Sequence, residues 1–215
     1  MKIEENIVQK VQDDFRRRQQ ERKSFEAKWQ LSMNFVIGNQ YCSIGYSNDI
    51  EEYDKQFFWQ EREVYNHIAP TLDIRLSKLQ RVRPKMAIVP ASTDENDIKT
   101  AKISKQIINA IYNKSEMSSL ISQATKWSEI CGTSFYKVVW NNNVGKKIGS
   151  GEKDFYLGDV EVMVCSPFEI FPDNVCNENI SDCQSIIHAK AYHINEIKNI
   201  WGVDVQGEDI NVFSL

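Results

Sequence analysis

The chain has 215 residues, 41% of them apolar and 26% charged, with a formal net charge of −4. That length and composition suit one large or two small folded domains and exclude a disordered chain. No apolar run approaches the roughly eighteen residues of a membrane span, and the charged start MKIEENIVQK lacks the apolar core of a secretory signal, so no membrane partner is expected. Cys42, Cys131, Cys165, Cys176 and Cys183 are odd in number and without paired spacing, which points to free thiols in a reducing cytoplasm.

Residues 2 to about 36 read as one long amphipathic helix, with Ile7, Val8, Val11 and Phe15 on an early stripe and Phe25, Trp29, Met33 and Val36 on a later one. Its middle, DDFRRRQQERKSFE, is densely charged. Asp13, Asp14 and Glu21 fall at helical pairing distances from Arg17, Arg18 and Arg22, and the expectation is a solvated face crossing open surface. NQYCSIGYSND reads as loop. IEEYDKQFFWQERE is acidic around the aromatic cluster Phe57, Phe58 and Trp59, which is either core or a partner surface.

The central run begins with VYNHIAPTLDIRLSKLQRVRP, read as a helix whose stripe is Ile68, Leu72, Leu76 and Leu79 and which stops at Arg83 before Pro84. MAIVPAS continues as an extended linker. Asp94 or Asn96 caps the next helix, Asp97 to about Asn113, and Ser115 or Ser118 caps a third that buries Leu120, Ile121, Ala124, Trp127 and Ile130 and is closed by Gly132. The pattern then turns strand-like at Phe135–Trp140. A glycine-bearing polar connection follows, and Val160, Val162 and Val164 alternate with Glu161 and Met163 in a returning strand. SPFEIFPD makes a proline-bounded turn, CQSIIHAKAY a further strand, and HINEIKNIWG a short helix ended by Gly202. The fold class expected is therefore α+β, with long N-terminal helices packed on a small, mostly antiparallel sheet.

Charge is unevenly spread. Residues 71–85 hold five basic residues (Arg75, Lys78, Arg81, Arg83, Lys85) against Asp73, whereas 151–182 hold eight acids against Lys153. The basic helix suits a protein neighbour or a phosphate backbone; the acidic third repels the latter. Phosphate-loop, dinucleotide, HExxH and GxSxG motifs are all missing from the sequence. His67, His188 and His193 are too scattered for an acid/base site, and Cys165, Cys176, Cys183, His188 and His193 match no compact zinc spacing. No catalytic residue, metal ligand or cofactor is expected, and the protein reads as a non-enzyme.

Five stretches in order, NHIAPTLDIRLSKLQRVRPKMAIVPAS, DENDIKTAKISKQIINAIY, WSEICGTSFYKVVWN, CSPFEIFPDNV and AYHINEIKNIWG, resemble the N-terminal part of tailed-bacteriophage portal proteins, the head-to-tail connectors, in their podovirus-type branch. The resemblance covers about residues 60–202. It implies a segment 1–63 of helix and acidic aromatic sequence, and a wing-like α+β domain over 64–215, with stem, clip and crown not supplied by this stretch. It further implies a twelve-fold homo-oligomeric ring at a capsid vertex of the virion, assembled in the host cytoplasm. Double-stranded DNA would pass through that ring, with the terminase large subunit, capsid and scaffold proteins, and tail or neck adaptors as partners. On that reading Phe57, Phe58, Trp59, Arg75, Arg81 and Arg83 are candidate subunit contacts. The competing expectations are a nucleic-acid-binding module using the basic helix 71–85, and a hydrolase with an unfamiliar site, which would need a deep pocket with convergent polar groups.

Overall fold

A computed structural model describes residues 2–53, 57, 59–82, 86–142, 144–148, 156–174, 179–207, 210 and 212–213. Two compact units are formed, one from Met1–Ala69 and Ser166–Leu215, the other from Pro70–Cys165. The C-terminal stretch thus folds with the N-terminal helix and not with the residues just before it in sequence. Arginines inside that helix supply the reason.

In the first unit, helix α1 spans Lys2–Ile37, close to the expected extent. At 1.5 Å of rise per residue it is about 54 Å long. Phe15, Arg18, Arg22, Glu26 and Trp29, spaced three and four apart, lie on one stripe of it. Phe15 packs edge-on to Phe171, with ring centroids 4.7 Å apart, and Trp29 meets Phe168 the same way at 5.3 Å. Most of the charged stretch is exposed as expected, but between those aromatics two of its arginines are buried: Arg18 is 3% exposed and Arg22 1%.

Buried guanidiniums need partners for every donor they can satisfy. Arg18 donates Nη1 to the carbonyls of Phe171 and Ser185, both at 3.0 Å, and Nη2 to Ser185 Oγ and Asp14 Oδ2. Arg22 donates to the carbonyls of Pro167, Phe168 and Ile170 and, through Nε at 2.8 Å, to Glu26, while its plane lies 3.6 Å from the Phe171 ring centroid. The ion pairs read from spacing do form, Arg17 with Asp14 and Glu21 and Arg18 with Asp14. What spacing did not give is that two of these arginines face inward.

Four of the carbonyls they bind belong to a tight turn and the strand after it, and the fifth, of Ser185, lies just before the partner strand. Ser166 Oγ accepts from the Phe168 amide at 3.3 Å, starting a 3-10 turn over Pro167–Glu169. Strand β5, Ile170–Pro172, follows and pairs antiparallel with β6, Ile186–His188, in the register Ile170↔His188 to Pro172↔Ile186. The expected proline-bounded turn therefore contains a strand. Helix α5, Ile194–Trp201, is capped by His193, whose ring accepts from the Asn195 amide, and ends at Gly202 as expected. The loop expected after α1 holds a small hairpin, β1 (Cys42–Ile44) with β2 (Ile50–Glu52). Strands of three residues are too short to show a period of two.

Helix α2 spans Ile68–Arg81, four residues later at its start than the sequence reading and two shorter at its end. Asn66 Oδ1 accepts from the amides of Ile68 and Ala69, and Pro70 then sits in the first turn, where its missing N–H is no loss. Pro84, invoked as the stop, lies outside the described residues, as do Arg83 and Lys85.

In the second unit, Leu72 and Leu76 of α2 are buried, but Leu79 at the far end of the stripe is 44% exposed. Helix α3, Glu95–Lys114, has Asp94 at its N-cap without a side-chain bond, and helix α4, Met117–Cys131, follows after only Ser115 and Glu116. Neither serine caps α4. Glu116 sits there in the left-handed conformation, with φ 47° and ψ 47°, and makes the sharp corner. Ala124, Trp127 and Ile130 are buried as expected, and Gly132, at φ +79°, closes the helix. Strand β3, Phe135–Asn141, pairs antiparallel with β4, Asp159–Cys165. The fold is α+β, but its strands form three separate two-stranded antiparallel ribbons and not one sheet.

Two measurements test this account. Arg22→Met removes the bonds to the buried carbonyls of Pro167 and Ile170 and the ion pair to Glu26, so it should lower the unfolding free energy by about 3–5 kcal/mol in urea melts, whereas Arg16→Met, on the solvent side, should leave the melt unchanged. Gly158 has φ +78° and a Cβ there would stand 2.5 Å from Trp140 Nε1. Gly158→Ala should therefore cost about 1–2 kcal/mol of backbone strain before any clash is relieved, read as a lower Tm together with altered near-UV dichroism from a displaced indole.

Candidate functional site

The side chains that chemistry would use are mostly committed elsewhere. His193 is a helix cap, and His188 Nε2 lies 3.4 Å from Glu169 Oε2. Of the cysteines weighed for zinc, Cys176 falls outside the described residues. Burial pushes the Cys131 thiol up to about 11, and desolvation with the Glu52 charge raises that of Cys42, so both are protonated and inert near neutrality.

The first unit holds a cavity of ≈ 520 Å³ walled by Phe15, Phe168, Phe171 and Phe213. Of its polar lining, Arg22 is paired with Glu26 and Glu169 with His188, while Gln19 and Lys190 complete it. The convergent free acid, base or nucleophile that the hydrolase expectation requires is not formed among the described residues of this cavity.

Surfaces are the more distinctive feature. Phe57 and Trp59 stack at 5.1 Å between ring centroids, nearly parallel at 12°, and remain 49% and 66% exposed. Phe58, between them, lies outside the described residues. In the β3–β4 ribbon the register opposes Tyr136 to Val164, Val138 to Val162 and Trp140 to Val160. Directly opposed residues point to the same side, so one face of the ribbon is entirely apolar. Tyr136, Val138 and Trp140 on it are 48%, 64% and 61% exposed. Ile108, Ile111 and Tyr112 of α3 and Met117 of α4 join Tyr136, Val138, Val160 and Val162 around a groove of ≈ 470 Å³. The alternation of Val160, Val162 and Val164 reads as a half-buried strand, and those valines are half-buried with Glu161 exposed; the exposed part of the face comes from β3.

The basic helix is less available than its composition suggests. Arg75 forks onto Glu129 of α4, Nε to Oε2 at 2.7 Å and Nη2 to Oε1 at 3.1 Å, and that pairing raises its pKa. Such two-pronged contacts fix geometry as well as charge. Of the basic residues in 71–85, Lys78 and Arg81 remain within the described helix, in its last turn, where they complement the helix dipole. The nucleic-acid expectation thereby loses one of its cations to an internal partner.

Among the described residues, the exposed aromatic pair and the apolar ribbon face are the features that stand out. A family model described as phage P22-like portal protein matches residues 12–212, and the chain belongs to that family. The match takes in most of α1, well ahead of residue 60, where the resemblance read from the sequence began. The protein is accordingly a phage portal protein, a component of the virion. Comparisons with curated proteins and with solved structures gave no match. No helix among the described residues is long and apolar enough to cross a membrane.

Alkylation at pH 8 should modify the half-buried Cys183 in the native protein while Cys42 and Cys131 react only on unfolding, as peptide mapping would show. Arg75→Glu sets two carboxylates against each other and should lower the Tm measurably, whereas Arg81→Gln, which breaks no such fork, should lower it by much less.

Proposed function

We propose that this chain is the repeating subunit of a twelve-fold portal ring at one capsid vertex, the conduit for genome packaging and ejection. The ring docks the terminase large subunit, and tail or neck adaptors, with capsid and scaffold proteins as its other neighbours. It assembles in the host cytoplasm. The family match over residues 12–212 carries this reading.

The surfaces support it. A closed ring is made by heterologous contacts, in which two different faces of one subunit meet, and large interfaces concentrate their energy in aromatic and arginine anchors. The stacked pair Phe57 and Trp59 is such an anchor, and Phe58 and Arg83 stay in the proposal on their sequence positions. Arg81 is a cation of α2 left for a neighbour's acid, while Arg75 serves through the fork that joins α2 to α4. To these we add the apolar ribbon face of Tyr136, Val138 and Trp140, whose exposure would be costly in an isolated subunit.

Negative-stain imaging and mass photometry test the proposal, on this chain and on any longer version of it. Closed rings are the expected result. Replacing Phe57 and Trp59 by Ala should raise the concentration for half-assembly by about tenfold or more, with an unchanged Tm showing that the fold survives. A longer version that stays monomeric at every concentration would overturn the reading, as would duplex DNA binding by the isolated chain that weakens steeply with salt.

A further inference from the structure

We draw no further inference here: the strongest candidate, the apolar groove between α3 and the β3–β4 ribbon lined by Ile108, Ile111, Tyr112, Val138 and Val162, belongs to the contact surface already proposed, and nothing in the structure shows what covers it.

Discussion

Two buried guanidiniums hold the first unit together. Arg18 and Arg22 between them bind five backbone carbonyls, those of Phe171 and Ser185 from the one and of Pro167, Phe168 and Ile170 from the other. A turn with a 3-10 start followed by a three-residue strand has few backbone partners of its own, and its carbonyls cannot be left dry and unbonded. The planar five-donor fork of arginine answers several of them from one side chain; a lysine ammonium, with three donors at a point, could not span the same spread. Burial pulls the Arg22 pKa down and Glu26 pulls it back, so the cation is kept by its carboxylate while its remaining donors serve the backbone.

The aromatic rings around this pair do two jobs at once. Phe171 lies under the Arg22 plane and also closes on Phe15, and Trp29 meets Phe168 beside the same cation. Water is thereby excluded from the bonds that need a low dielectric to be strong, and the cation gains the electron-rich ring faces. The aromatic stripe and the charged stripe of α1 are in this sense one surface.

Much of the architecture was legible before any coordinates. Helices announce themselves by period and end by composition, so α1, α3, α4 and α5 fell close to expectation, and Gly132 and Gly202 marked their stops. The start of α2 was misplaced because Pro70 was read as interior to a longer helix, although it signals a first turn. The strands of three residues were invisible or merged with turns, being shorter than any alternation can register. The inward arginines left a trace that went unread: Arg18 and Arg22 stand three and seven residues after Phe15, on the stripe that Trp29 continues. Charge was weighted above position there. For the contact surfaces, the sequence named Phe57–Trp59 and the basic helix, but the apolar face of the ribbon emerges only once register shows which valine faces which aromatic, and the Arg75 fork depends on a glutamate fifty-four residues away.

The long reach of the arginine bonds also sets an order of events. The carbonyls they bind lie 145 to 167 residues downstream, with the whole of the Pro70–Cys165 unit between them in sequence. Closing so long a loop costs entropy only logarithmically, yet it cannot happen before the distant segment exists. During synthesis the helix emerges well before that segment, and its two cations stay hydrated until it arrives. The helix is thus made early and completed late, and only the arrival of the closing turn dries the arginines.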